Sequence, residues 1–464
     1  MKSSPRSIAG LALGVAIGCM TVPAHAESLF QALVSTYSNN PTLNAARAGQ
    51  RAQNENVSIA KAGRRPTVAS TGQIGRTSTR TFNPAGIFNS TTNDDFTQGN
   101  AGFSVQQNLF NGFQNKNNIR AAKSGVKAGA QALKNVEQTV LVEAVTAYTD
   151  VLRDREILTL QERDVSFSRE QVRASRAQAR VGEGTRTDVA LAEADLASAL
   201  SALAAAKSAL KASEASYVEV IGHQPGGLSA PTDASRHLPK SLKQAIKIAR
   251  HEHPLIRSAQ HNVDAGQFNV RVSEGTLLPG VSLNGTYQKS FQAGTIDSNS
   301  DTGSVTVDIS VPLYQGGSRF ATIRQSKETV SQLRIQVDES RRSVIQGVRA
   351  SWASLESARS QIRSARSNVR ASQVAVQGLV EERKVGQATT LDVLTAQSNS
   401  IAAQVSLANA QRDSIVASYS LLASIGRFTG QNVQIAQHTN VKEPTYHYQQ
   451  VKDRWVGLRT PSGN

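Results

Sequence analysis

The sequence is poor in cysteine and lacks long hydrophobic runs. Cys19 is the only cysteine among 464 residues. If the residues before 27 are removed, as argued below, the remaining chain can form neither a disulfide nor a thiolate site. After residue 26 there is no unbroken apolar run of 18 residues. By this criterion we expect no transmembrane helix.

The N-terminal segment has the features of a secretory signal. Two basic residues precede an apolar stretch at 8–20, and Ala24-His25-Ala26 forms a small-x-small cleavage site. We therefore assign residues 1–26 to a signal peptide. Acylation of Cys19 is the competing interpretation, because the residues before it loosely resemble a lipoprotein box.

Lysine and arginine outnumber the acidic residues and give a formal charge of +16. Removal of the signal segment takes away Lys2 and Arg6 and leaves +14. A basic balance can indicate a nucleic-acid partner. Here the basic residues are spread along predicted helices, and an exported chain does not meet nucleic acid. We assign the excess to solvated helix surfaces and expect no nucleic-acid partner.

Proline is absent from two long segments, 85–224 and 313–443. Both can hold long helices, because proline destabilises a helix interior by about 3 kcal/mol or more. Each segment also has apolar residues that recur every seven positions, which indicates coiled-coil packing. They are Ile119, Val126, Leu133 and Val140 in the first segment and Ile323, Val330, Val337 and Val344 in the second. We predict helices over about 112–180 and 316–384, each roughly 100 Å long.

The sequence is internally duplicated. SLFQALVSTYSNNP at 28–41 resembles SLKQAIKIARHEHP at 241–254, and VGEGTRTDV at 181–189 resembles VGQATTLDV at 385–393. Repeats of this kind indicate that one structural unit is built twice.

This duplication divides the mature chain. We predict a first structural repeat at 27–240 and a second at 241–427, followed by a polar C-terminal tail at 428–464. The tail shows no sustained hydrophobic period, so we expect it to be loosely ordered and predict no function for it.

Each VG motif is predicted to be the tip of a helical hairpin. Gly182 and Gly386 suit the C′ position just after a long helix. Thr187-Asp188 and the region of Asp392 suit the N-cap of a returning helix. The returning helices are predicted over about 188–220 and 392–425.

A shorter helix at 41–64 is expected to stack end to end on the helix at 188–220. Together the two nearly match the length of one long helix. The segments 28–40 and 223–253 would then surround the waist of a long bundle, whose columns alternate between continuous and broken helices.

Four segments show the alternation of two-faced strands. In 304–313 apolar residues alternate with polar residues or proline, and the pattern recurs at 67–76, 101–109 and 281–288. We predict four strands of about ten residues, the length of a tilted membrane strand. The stretch 77–100, rich in Asn, Thr and Gly, is predicted to be an exposed loop.

The apolar face of these strands needs a partner. A soluble core would require a second apolar layer, yet the predicted helices extend away from the strands. A lipid-facing barrel needs only one apolar face, but four strands cannot close and an open edge is not tolerated in lipid. Several chains must therefore contribute. Two would give eight strands and three would give twelve, and four are not excluded.

The doubled order of these segments resembles the TolC family of outer membrane efflux channels, the outer membrane factors. The resemblance covers about 28–426 and is carried by NP at 40–41, NLFNG at 108–112, PLYQGG at 312–317 and the paired VG motifs. It implies a mixed, mainly α fold. A long coiled-coil helical barrel would be joined to an outer-membrane β-barrel, with four strands per chain and twelve in a homotrimer.

The resemblance also implies a function. The chain would be the passive exit duct of a tripartite export system, in the outer membrane of a Gram-negative bacterium with its tunnel in the periplasm. The implied partners are a periplasmic adaptor (membrane fusion) protein, an inner-membrane pump of RND or ABC type, and outer membrane lipid. The implied cargo is toxic compounds and drugs, or proteins in type I secretion.

The hairpin tips are the functional site that the resemblance implies. Asp392, Asp188, Thr187 and Arg383 would lie at the periplasmic pore aperture, where rings of carboxylates favour cations. Gly182 and Gly386 would be contacts for the adaptor. On the alternative interpretation the aspartates are only helix N-caps and the glycines only helix ends.

The second tip departs from the family pattern of one aromatic, one basic and two acidic residues. Asp392 matches one acid, but Arg383 replaces the aromatic, Ala388 the basic residue and Thr395 the second acid. We expect a reduced or rewired closing network. Our hypothesis is that Arg383 and Lys384 supply the missing cation.

No sequence motif indicates an enzyme or a cofactor. His251 and His253 flank an acid, but a spacing of two does not place both on one helical face. A solvated helix end is therefore favoured over a metal site. Two rivals to the exit duct remain, a periplasmic coiled-coil scaffold or adaptor without a membrane barrel, and a porin or adhesin that acts alone.

Overall fold

The computed structural model describes residues 26–460 except 86–87, 294–297, 440, 442–443 and 459. The predicted signal segment, apart from Ala26, lies outside the described residues, and so does Cys19. The helices are α1 (Leu29–Asn39), α2 (Pro41–Ala62), α3 (Gln114–Arg180), α4 (Arg186–Ile221), α5 (Leu242–Glu252), α6 (Pro254–Gly275), α7 (Ser318–Lys384), α8 (Thr390–Ser424) and α9 (Pro444–Val451). The strands are β1 (Thr67–Ala85), β2 (Phe88–Asn111), β3 (Gly280–Ala293) and β4 (Ser298–Ser310).

The two long helices are confirmed. α3 and α7 each have 67 residues, which corresponds to roughly 100 Å. Their seven-residue apolar series are buried in both repeats, with no member more than 9 % exposed. The heptad series seen in the sequence therefore packs inside the helical bundle, in the halves of α3 and α7 nearer the sheet.

The broken columns are confirmed as well. Both α2 and α4 pack along α3. The end of α4 meets the junction of α1 and α2, where the amide of Asn40 donates to the carbonyl of Val220 at 3.0 Å and the hydroxyl of Ser35 donates to that of Ile221 at 3.0 Å. The capping residue of α2 thus also closes the C-terminal end of α4.

The four strands form one antiparallel sheet in the order β1-β2-β3-β4, and the β2–β3 pair joins the two repeats. The predicted length of ten residues is wrong, since the strands have 19, 24, 14 and 13 residues. The predicted loop at 77–100 is also wrong. Its residues continue the β1–β2 ladder, with Thr77 opposite Phe96 and Thr81 opposite Thr92.

The physical reason is that both faces of this extension are polar, so it lacks the alternation from which strands are predicted. Threonine nevertheless favours an extended backbone. β4 is shorter than its apolar pattern, because it ends at Ser310 and leaves Val311 and Leu313 beyond the ladder.

One face of the sheet is apolar and exposed. Val305, Val307 and Ile309 on β4 are 78 %, 58 % and 69 % exposed. The register aligns Val307 with Leu283 of β3, and Phe103 of β2 with Tyr287 of β3, so the apolar face continues across strands. Ser304, Thr306 and Asp308 lie on the opposite, polar face.

The waist holds the largest core. Tyr148 of α3 and Tyr217 of α4 are fully buried there. Phe428 and Ile435 from the segment after α8 are fully buried too, so the expectation of a loosely ordered tail is wrong for this part. These few apolar side chains anchor a segment whose composition is otherwise polar, which periodicity cannot reveal.

α4 is the one helix within the described residues that is long and apolar enough, by length and composition alone, to cross a membrane. Polar residues interrupt its apolar stretch, so it contains no unbroken apolar run of 18 residues. The helix packs along α3 through small buried residues such as Ala192, Ala199 and Ala206. Its remaining apolar surface stays uncovered within one chain, with Leu200 42 % exposed.

Candidate pore aperture at the helical hairpin tips

The first tip is a tight turn between α3 and α4. Gly182 has φ +82°, a backbone conformation that favours glycine, and it follows Val181, the C-cap residue of α3. The amides of Glu183 and Gly184 donate to the carbonyl of Gln178 at 3.0 and 3.2 Å. These bonds satisfy the end of α3 and reverse the chain within four residues.

The second tip repeats this geometry. Gly386 has φ +75° and follows Val385, and the amide of Gln387 donates to the carbonyl of Glu382 at 2.9 Å. The prediction that Gly182 and Gly386 occupy C′ is confirmed. Both tips end in an exposed valine, since Val181 and Val385 are 70 % and 71 % exposed.

The predicted N-caps, Thr187-Asp188 and the region of Asp392, lie two to three residues after the observed ones. The capping residues are Thr185 and Thr389, and Asp188 and Asp392 stand three positions later. Thr185 and Asp188 form a reciprocal capping box, with the hydroxyl donating to the carboxylate at 2.6 Å and the Asp188 amide donating to the hydroxyl at 3.0 Å. The pattern T-x-x-D in the sequence could have revealed this box.

The second capping box is equivalent. The Thr389 hydroxyl and amide donate to the carboxylate of Asp392 at 2.6 and 2.9 Å. Hydrogen bonds from threonine lower the pKa of both aspartates below their usual range, because they stabilise the charged form. Both tips therefore carry a fixed negative charge near neutral pH.

The two tips differ in how they contact each other. Arg383, near the end of α7, crosses to α3 of the first repeat. Its guanidinium donates to the side-chain oxygen of Gln171, and to those of Ser175 and Gln178 at 3.4 and 3.3 Å. Sequence reasoning missed all three acceptors, because nothing in their spacing singles them out.

Arg383 also acts on Asp188. After the bonds from Thr185, the hydroxyl of Thr390 and the charge of Arg383 lower the pKa of Asp188 further. The structure therefore brings Asp188, Thr390 and Arg383 together across the two repeats. Arg383 faces the acid of the first hairpin and not that of its own hairpin.

The other predicted site residues are not part of this cluster. Asp392 is exposed and borders the groove between α7 and α8, together with Thr395. Lys384 pairs with Glu381 at 2.7 Å, so it is directed away from the aspartates. Thr187 is exposed, and Ala388 lies in the turn.

His251 and His253 lie at the junction of α5 and α6. Across the ranges that the structure describes, there is no group of three or more potential ligands. The expectation of a solvated end is wrong for His253, which is 8 % exposed and whose Nδ1 accepts the Leu255 amide at 3.2 Å as the N-cap of α6. Burial lowers its pKa to about 4.

A one-sided sheet joined to helices of roughly 100 Å defines the class of outer membrane channel-tunnels. The chain belongs to the outer membrane efflux protein family, whose model matches residues 32–223 and 245–427. It is 44 % identical over 443 residues to the outer membrane efflux protein BepC of Brucella suis, covering 95 % of this chain and 94 % of that protein. It is 24 % identical to the alkaline protease secretion protein AprF of Pseudomonas aeruginosa, covering 68 % and 66 %.

Solved structures share the fold. The Campylobacter jejuni CmeC outer membrane channel matches with a TM-score of 0.76 at 15 % identity, over 97 % of this chain and 98 % of that one. CusC matches with a TM-score of 0.72 at 18 % identity, over 86 % and 92 %. The protein is therefore an exit duct of the outer membrane, with its helices in the periplasm. Its family is one of efflux channels and not of enzymes.

Proposed function

We propose that three copies of this chain assemble into one channel that conducts cargo passively. The observation that carries this proposal is the open, one-sided sheet. Within the described residues, β1 and β4 each have a neighbour on one side only, and lipid does not tolerate such edges. Pairing β1 of one copy with β4 of the next closes the wall. Three copies give twelve strands, and two would give an eight-stranded barrel filled by its own side chains.

The helical part supports the same assembly. α7 packs on α6 and α8 and leaves Ile335 and Val374 70 % and 68 % exposed. α4, at the other edge of the chain, leaves Leu191 and Leu200 uncovered. A second copy that places its α4 against the tip half of α7 would remove Val374 and these leucines from water, and its α2, which continues the same column towards the sheet, would cover Ile335.

The tips of the six hairpins would surround the periplasmic aperture. Three copies each of Asp188 and Asp392 then form acidic rings that favour cations and repel anions. Arg383 ties the second hairpin to the first and holds the aperture narrow. Opening requires that this guanidinium leave its acceptors on α3.

The adaptor is proposed to bind the outer surface of the tips. Val181 and Val385 offer one apolar contact in each hairpin, and the glycines that follow them keep the turn narrow enough for close approach. An inner-membrane pump of RND or ABC type would supply the energy, because the sequence of the duct has no phosphate-binding loop motif.

The proposed cargo is small toxic compounds, as the efflux name of the Brucella suis relative suggests. Protein export by type I secretion is the second candidate, since AprF is named for secretion of alkaline protease. Deletion of the gene, followed by a panel of toxic compounds and a comparison of secreted proteins, separates them. Loss of tolerance supports drug efflux, and a missing secreted protein supports type I secretion.

Single-channel recordings of Asp392→Ala test the aperture. We expect a changed conductance and reduced block by divalent cations, because one ring of carboxylates is lost. Asp264→Ala is the matched control, an exposed acid on α6 far from the tips, and it should leave the record unchanged. An unchanged record for Asp392→Ala removes this residue from the pore.

The rival scaffold without a barrel makes a different prediction. It requires that the mature protein be released from cells without detergent, whereas the channel requires detergent for extraction.

A further inference from the structure

The C-terminal segment contains an exposed apolar cluster. Trp455, Val456 and Leu458 are 68 %, 86 % and 104 % exposed. They follow α9, the short helix that packs on α2. An isolated exposed apolar residue is ordinary, but three within four residues, one of them tryptophan, indicate a surface that meets something apolar.

The position of this cluster is fixed by α2. The segment runs parallel to α2 towards the sheet, and each step has a contact. Asn54 meets His447 at 3.4 Å, the hydroxyl of Ser58 donates to the Val451 carbonyl at 2.6 Å, and Lys61 donates to the Lys452 carbonyl at 2.7 Å. His447 and Val451 are buried, so residues 444–454, which we call the strap, are a packed part of the fold.

The last contact lies at the base of the sheet. Arg65 donates to the carbonyl of Arg454 at 3.1 Å, and its guanidinium carbon lies 4.4 Å from the centre of the Trp455 ring. Arg65 is two residues before β1, and Val68, the first residue of the exposed apolar face on that strand, is 69 % exposed. Trp455 therefore lies where the apolar surface of the sheet begins.

The charges around the cluster complement a phospholipid surface. Arg65, Lys452 and Arg454 are basic, and Asp453 is paired with Lys61. Lysine and arginine beside tryptophan and aliphatic residues are typical of the boundary between acyl chains and headgroups. Basic residues at that depth attract anionic headgroups.

We propose that residues 455–458 insert into the periplasmic leaflet of the outer membrane as an interfacial anchor outside the barrel. The partner is phospholipid. Trp455 would lie at headgroup level with Val456 and Leu458 among the upper acyl chains. The strap from 444 to 454 would hold α2 at a fixed height relative to the membrane. This inference depends on the outer membrane location and not on the cargo.

The chain has two tryptophans, which provides a matched pair of reporters. Trp352 is half-buried on α7, 34 residues after the start of that helix at Ser318, and thus roughly 50 Å from the sheet. The variant Trp352→Phe reports on Trp455 alone, and Trp455→Phe reports on Trp352 alone. Each full-length variant is reconstituted into vesicles of phospholipid with brominated acyl chains, which quench tryptophan only on contact.

We expect Trp352→Phe protein to lose most of its fluorescence in brominated vesicles relative to unbrominated ones, and Trp455→Phe protein to lose none. Quenching of Trp455 by aqueous iodide with no quenching by brominated lipid would show a solvated tail and overturn the proposal. Protection from both quenchers would show that protein covers Trp455, which also overturns it. Retention of the native oligomer on unheated gels confirms that each variant is folded.

Discussion

The two repeats have the same turn and capping residues at their hairpin tips. They differ in the side chains that contact the neighbouring hairpin. Both tips have a C′ glycine of positive φ and a threonine–aspartate capping box. At the position that corresponds to Arg383, the first repeat has Ala179. The duplicated sequence thus specifies two equivalent turns. The difference between Ala179 and Arg383 gives only the second hairpin a side chain that bonds to the first hairpin.

A second contrast lies at the waist. Asn40 and His253 are equivalent N-caps before Pro41 and Pro254, with nearly the same backbone angles. Asn40 cannot titrate, whereas His253 is buried in its neutral form. The repeats therefore share a geometry but not a pH dependence.

The largest expected effect concerns this cap. The pKa of His253 is about 4 in the fold and about 6.5 in an unfolded chain. Between these values the unfolded state binds more protons than the folded state. The contribution of His253 to the free energy of unfolding is therefore fully present above about pH 6.5 and is lost as the pH falls to about 4. The loss is on the order of 3 kcal/mol per chain. Denaturant midpoints measured between pH 7.5 and pH 4 check it.

The reciprocal exchange sharpens this prediction. His253→Asn should remove this part of the pH dependence, and Asn40→His should add a similar loss in the first repeat. Equal slopes in His253→Asn and the unaltered protein would show that another group is responsible.

The next largest effect is expected for the hydrogen bonds by which Arg383 joins the two hairpins. Arg383→Ala removes a charged donor from three acceptors on α3, and since the group is half-buried we expect a local loss of about 1–2 kcal/mol. Hydrogen exchange at 383–390 should rise and single-channel conductance should increase. Arg180→Ala, at the equivalent of Lys384, is the control and should change neither. Unchanged exchange in Arg383→Ala would mean that the two hairpins are held by other contacts.

The capping boxes should behave alike. Thr185→Ala and Thr389→Ala should each destabilise the start of the returning helix by about 1 kcal/mol, seen as faster exchange of its first amides. The partner aspartates have lowered pKa values. Their contribution is therefore present above the unfolded value of about 3.9 and lost below it. A clear difference between the two variants would contradict the equivalence of the tips.

The smallest effects are expected on the outer face of the sheet. Arg76 and Asp95 in the first repeat lie 3.5 Å apart, and Lys289 and Asp301 in the second 3.8 Å apart. All four are well exposed, so double-mutant cycles should give about 0.5 kcal/mol or less for each pair. A coupling several times larger in one pair would show that the repeats differ there too.

The sequence predicted the structure correctly where apolar residues recur every seven positions or where a turn requires a positive φ. The heptads that begin at Ile119 and Ile323 gave the long helices, and Gly182 and Gly386 gave the tips. It failed where few residues decide the structure. The β1–β2 extension is polar on both faces, and buried Phe428 and Ile435 hold a polar tail.

The candidate site was only partly predictable for the same reason. Asp188, Asp392 and Arg383 follow from the motif and its departures. The acceptors Gln171, Ser175 and Gln178 are adjacent to Arg383 only after two hairpins have packed, which no local pattern encodes.

The most direct test of the central claim is the mass of the full-length mature protein purified in detergent and measured by native mass spectrometry. If acyl chains cover the exposed strand faces and neighbouring copies seal the edges, the species is a homotrimer that precipitates when detergent is withdrawn. A single copy that stays monodisperse in plain buffer would contradict the account.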